Sequence, residues 1–164
     1  SCHIPLLISA GKNVLPDIKS SSVCHDVAEL RDIMPTLLEI AGTEIPASVD
    51  GHSLLPLAKD PGSTARTWLH GEHSYGEFSN HWIVTETDKY IWYSETGEEQ
   101  YFCLKEDPHE LINRIGDAGC QDRIKELRGH LIDSLKGRLE GFTDGSVLIP
   151  GRPYPPTLPS ATAR

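Results

Sequence analysis

Apolar positions along this chain change period more than once. His3 to Gly11 is a short apolar run closed by glycine, the pattern of a strand buried on both faces, expected over residues 4–9. Between residues 32 and 42 the spacing turns helical: Met34, Leu37, Leu38 and Ala41 make one stripe. Asp32 is the expected N-cap, Pro35 fits the first turn and Gly42 ends the helix. Ser53 and Pro56 repeat that logic for a short helix over residues 53–59. The period then drops to two. Thr67–His73, His81–Thr87, Lys89–Ser94 and Gln100–Leu104 read as four strands with short links, which predicts an antiparallel meander. The aromatics Trp82, Tyr90 and Trp92 are expected on a packed sheet face.

Helical spacing then returns. Asp107, Pro108 and Glu110 have the pattern of a capped helix start. From Gln121 to Leu139, Ile124, Leu127, Leu131, Ile132, Leu135 and Leu139 form one apolar face, expected to cover the sheet. Beyond Gly141 the density of proline forbids regular structure, and Ser160 to Arg164 are expected to fray. The expected organisation is residues 1–64, residues 65–140 and an irregular tail over residues 141–164.

Composition narrows the function classes. The 164 residues carry a net charge of −9 with no basic run, which argues against nucleic acid or an anionic membrane as partner. No apolar run reaches the ~18 residues of a membrane span. The first residues, Ser1-Cys-His-Ile-Pro, lack the basic start and apolar stretch of a signal peptide. Cys2, Cys24, Cys103 and Cys120 are widely spaced, with no C-x-x-C, and read as thiols; a Cys2–Cys24 bridge is the alternative.

The densest ionisable group is His70-Gly71-Glu72-His73. On a strand, His70 and Glu72 share one face and His73 takes the other. Two ligands and an opposed third do not make a metal site, so none is assigned. His70, Glu72 and His73 remain candidates for the rim of a polar substrate pocket, against the plainer reading of hydrogen-bonded strand residues. Ser20–Ser22 with His25 and Asp26 lack a G-x-S-x-G elbow, and no phosphate-cradling glycine motif occurs.

Five segments in order carry a resemblance: Glu29–Gly42 (ELRDIMPTLLEIAG), Val49–Leu57 (VDGHSLLPL), Trp68–His73 (WLHGEH), Asp88–Glu110 (DKYIWYSETGEEQYFCLKEDPHE) and Glu140–Gly145 (EGFTDG). Together they resemble the C-terminal third of bacterial arylsulfatase-type sulfatases, in the alkaline phosphatase superfamily. The resemblance implies an α/β fold, α+β within this stretch. The end of a sulfatase-like core would be followed by a four-stranded antiparallel sheet with a packed C-terminal helix.

It also implies a parent that hydrolyses sulfate esters with formylglycine, matured from C/S-x-P-x-R, and calcium (Ca2+) held by Asp and Asn. Neither C/S-x-P-x-R nor a D-H-G or D-N-G metal motif occurs here. No catalytic residue, metal ligand or cofactor is therefore assigned to this chain, and the chain alone is expected to be inactive. Its expected partners are the remainder of the sulfatase catalytic domain and, for the parent, a sulfated small molecule or sugar. Self-association through an apolar edge exposed by Ile4 to Ile8 is a further expectation. A phosphonate or phosphodiester hydrolase of the same superfamily is the nearest alternative, and a stand-alone binding or assembly module is the alternative of another class. Periplasmic, secreted and cytoplasmic locations all stay open.

Overall fold

The twofold alternation from Leu69 to Cys103 becomes a four-stranded antiparallel meander in strand order β1-β2-β3-β4: β1 Leu69–His73, β2 Asn80–Val84, β3 Asp88–Tyr93 and β4 Glu99–Cys103. The computed structural model describes residues 4–153. The chain divides into two units, Ser1–Thr67 and Trp68–Arg164. No helix among the described residues is long and apolar enough to cross a membrane.

Register decides what the sheet presents. His81 lies opposite both Glu72 and Trp92, Ile83 opposite His70 and Tyr90, and Tyr90 opposite Tyr101. Because opposed residues share a face, His70, Glu72, His81, Ile83, Tyr90, Trp92 and Tyr101 form one surface. Helix α3, Gln121–Leu135, packs on it through Ile124, Leu127, Leu131 and Leu135, and Phe142 completes the buried cluster. Trp82 departs from expectation. It stands opposite Gly71 and Ile91, so it belongs to the other face and is only half-buried.

The rim of the core face is polar and pinned by arginine. Asp88, at the start of β3, accepts hydrogen bonds from the Tyr101 hydroxyl (2.5 Å), Thr87 Oγ1 (2.7 Å) and Arg123 of α3 (2.9 and 3.0 Å). Glu99 accepts from the Tyr90 hydroxyl (2.6 Å) and from Arg128. Burial, then the nearby carboxylate, pushes both tyrosine hydroxyls well above their ordinary range. The helix is therefore fixed to the sheet by apolar burial at the centre and by two directional ion pairs at the rim.

Two expected helical stretches differ. Helix α3 ends at Leu135, not Leu139, since Gly137 adopts φ +77° and turns the chain away, leaving Leu139 96% exposed. The expected helix start at Asp107–Glu110 is a turn. Glu110 takes φ +55°, and the Asp107 carboxylate accepts the Ile112 N–H at 2.7 Å. Leu111 and Ile112 are exposed, so a helix there would have no apolar face to bury. Instead Asn113 Oδ1 accepts the Tyr101 N–H (3.0 Å) and Arg114 N–H donates to the Tyr101 carbonyl (2.8 Å), covering the outer side of β4. The segment expected to be an irregular tail contributes Phe142 to the core and a bridge between Thr143 and Leu148. Its residues beyond 153 lie outside the described residues.

In the first unit, residues 4–10 form no strand. A ladder needs a neighbour, and no strand of this unit is present among the described residues to pair with it. A single 3-10 turn, Leu30–Asp32, leads into α1, Ile33–Ile40, and α2 is Leu55–Lys59. α1 reverses the expected burial. Met34 and Leu37 are exposed while Asp32, Pro35 and Thr36 are buried. Asp32 does not cap α1 with its side chain. Its carboxylate accepts N–H bonds from Glu29 and His52 (both 2.8 Å) and an ion pair from Arg66 (2.6 Å). Thr36 Oγ1 donates to the Asp32 carbonyl (2.6 Å) and accepts the Leu54 N–H (2.8 Å). The segment around Gly51 passes so close that a Cβ there would overlap the Arg31 carbonyl.

Gly71 makes a similar demand in β1. A Cβ at this position would overlap the Trp82 indole. Gly71→Ala is expected to lower stability by about 1–3 kcal/mol through overpacking. In urea unfolding followed by fluorescence the Trp82 emission should shift as the ring is displaced. Gly129→Ala, in α3 with open space around the new methyl, is the contrasting variant and should stabilise. Equal effects of the two changes would contradict the close approach at Gly71.

Candidate functional site

Strand β1 places the expected pocket residues as its pleat dictates. His70 and Glu72 project from the core face and His73 from the other, where its ring lies 6.0 Å from that of Tyr75. The structure thus joins two of the three expected residues and separates the third. It adds His81 from β2 and Arg138 and Glu140 from the segment after α3.

These side chains form a chain of polar contacts. His70 Nε2 lies 3.1 Å from His81 Nδ1, and Glu72 Oε2 lies 3.4 Å from the same Nδ1. Arg138 Nη1 donates to Glu72 Oε2 (2.6 Å) and Nη2 to Glu140 Oε1 (2.7 Å). The His81 ring is fully buried, stacked with His70 and Trp92 and set edge-on to Phe142. Burial, reinforced by the neighbouring His70, holds its pKa down to about 4, so it is a neutral imidazole near pH 7. The Glu140 contact, opposed by burial, raises the Arg138 pKa, and Arg138 in turn lowers that of Glu140. The cluster therefore offers imidazole nitrogens, a half-exposed carboxylate and a cation at one edge of a rigid sheet.

Sequence reasoning missed His81 because its place opposite Glu72 depends on the length of the 74–79 connection. That connection contains a 3-10 turn, Gly76–Phe78. Arg138, 66 residues from Glu72, left no local signal. Cys24, Cys103 and Cys120 are free thiols outside this cluster, while Cys2 lies outside the described residues.

The family model for the N-sulphoglucosamine sulphohydrolase C-terminal region matches residues 1–137. The chain belongs to this sulfatase C-terminal family. Among curated relatives, an arylsulfatase from Clostridium perfringens is 50% identical over 153 residues, covering 93% of this chain and 32% of the relative. A solved structure described as a complex with its substrate D-glucosamine-2-N,6-O-disulfate aligns with TM-score 0.59 and 28% identity, over 64% of this chain and 23% of that one. A phosphonate monoester hydrolase from Silicibacter pomeroyi aligns with TM-score 0.53 over 63% of this chain and 24% of its own, and at 20% identity shows a shared fold alone. The chain thus spans about a third of the arylsulfatase it matches.

Membership in the sulfatase family raises the question of calcium. Calcium takes six to eight oxygen ligands. Among the described residues, the metal-competent grouping is His70, Glu72 and His81, which offers two nitrogens and one carboxylate. These donors do not fit calcium.

Proposed function

We propose that this chain is the C-terminal part of an enzyme that hydrolyses sulfate esters. Formylglycine and calcium would be held by parts of that enzyme other than these 164 residues. The observation that carries the reading is the 50% identity to an arylsulfatase across 93% of the chain. The absence of C/S-x-P-x-R from the sequence supports placing the reacting groups elsewhere in the enzyme. In this reading the second unit supplies one polar wall of the substrate cleft. His70 and Glu72 face a sulfated small molecule or sugar and bind its hydroxyls. His73 projects from the opposite face, beside Tyr75, and does not line this wall. The exposed apolar residues of the first unit, among them Leu6, Leu7, Met34 and Leu37, then pack against the remainder of the catalytic domain. When the chain is alone, the same residues drive self-association.

The test joins sequence and assay. Reading the frame upstream of Ser1 should reveal C/S-x-P-x-R, and the full-length product should release sulfate from an aryl sulfate. Alanine at that Cys or Ser should abolish release, while His70→Ala in the full-length enzyme should raise KM more than it lowers kcat. Sulfate release by the 164-residue chain alone, or an upstream frame lacking the motif, would overturn the proposal.

A further inference from the structure

The donor set that excludes calcium suits a different ion. His70, Glu72 and His81 each offer one ligand atom, and these atoms all lie within 4.8 Å of one another. Zinc bonds of ~2.0–2.2 Å at tetrahedral angles place neighbouring donors roughly 3.3–3.5 Å apart. His81 Nδ1 already stands 3.1 Å from His70 Nε2 and 3.4 Å from Glu72 Oε2. Two edges of the coordination polyhedron are therefore close to ligation length. The third closes by rotation of Glu72, whose side chain is 44% exposed and tethered to Arg138 at 2.6 Å.

We propose that His70, Glu72 and His81 form a binding site for a divalent transition-metal ion of the zinc class. Two imidazoles and one carboxylate form a donor set of the kind found in zinc sites that keep an open position. Such a site leaves a fourth position for water or an anionic oxygen. The ladder supplies rigidity, since Glu72 and His81 are a directly opposed pair and His70 is on the same face. Stacking against Trp92 and the edge contact with Phe142 fix the His81 ring before any ion arrives. Arg138 orients the Glu72 carboxylate from behind, anchored by Glu140. Its positive charge weakens the site, so the affinity is moderate. Arg138 engages Glu72 Oε2, the same oxygen that lies 3.4 Å from His81 Nδ1, so the ion competes with Arg138 for it. The three donors and their support belong to the second unit alone, so the ion site stands without the hydrolytic activity.

The test uses the metal-free 164-residue chain with Cys2→Ser and Cys24→Ser, which removes the exposed thiol among the described residues and the thiol outside them. Titration calorimetry with zinc should give one ion per chain, and cobalt(II) should develop the intense visible bands of a low-coordinate site. His70→Ala and Glu72→Ala should each weaken zinc by about tenfold or more. His73→Ala, on the opposite face, should leave it unchanged, and calcium should not compete. Circular dichroism of each variant separates loss of a ligand from loss of the fold. No zinc uptake at millimolar ion, or uptake indifferent to His70→Ala but lost with His73→Ala, would overturn the assignment. Neither result bears on whether the parent cleaves sulfate esters.

Discussion

Phe142→Ala is expected to destabilise the second unit by about 3–5 kcal/mol, the range for emptying a buried aromatic site. The ring is fully buried, 5.8 Å from Trp92 and 5.1 Å from His81 in edge-on contacts. The Phe142 carbonyl also accepts the Ile149 N–H at 2.7 Å, so the backbone is held and cannot readily collapse into the void. All three tryptophans lie in this unit, which makes fluorescence in urea a direct reading of it. Leu139→Ala, three residues upstream and almost wholly exposed, should change stability by less than about 0.5 kcal/mol. A loss under about 1 kcal/mol for Phe142→Ala would show that residues after Gly141 do not belong to the core.

Asp88→Ala should be comparably severe, at about 2–4 kcal/mol, because it strands Tyr101 and Arg123 at once. The pH dependence has a definite sign. Burial pushes the Asp88 carboxyl up, but hydrogen bonds from Tyr101, Thr87 and Arg123 outweigh it and hold the group below its ordinary 3.8. For Glu99, burial is likewise outweighed, here by Arg128 and Tyr90, leaving the carboxyl below 4.5. A carboxyl whose folded pKa is depressed contributes its full stability above its unfolded value. That contribution is lost as pH falls through the folded pKa. The second unit should therefore weaken as pH drops below about 4.5, and Asp88→Ala should flatten part of that acid limb. An acid limb as steep in the variant as in the parent chain would remove Asp88 from the explanation.

The contrast between these residues shows what sequence can reveal. The meander and the α3 face were legible because each rests on a local period whose apolar members are buried within the same unit. The α1 stripe was legible as a helix but not as a buried face, since Met34 and Leu37 find no cover among the described residues. Asp107, Pro108 and Glu110 carried a true capping pattern, yet the residues that follow guard β4 and have nothing apolar to sit on. Phe142 is a lone aromatic between glycines and has no period to betray it. At the candidate site, His70 and Glu72 were visible as neighbours two apart on one strand. His81 and Arg138 arrive through register and through chain reversal, which leave no mark in a linear pattern.

The paired contacts of Asp32 and Thr36 imply a matching of lengths. Four residues of helix advance about 6 Å, a distance that two residues of chain, which reach at most about 7 Å, can also span. The two acceptors on the helix are four residues apart, and the two N–H groups they meet, on His52 and Leu54, are two apart. The segments are therefore commensurate, like the teeth of two gears cut to one pitch. One residue added or removed between His52 and Leu54 would leave at most one tooth engaged. The loop from Thr43 to Ser48, mostly exposed and outside the mesh, can vary in length without disturbing it.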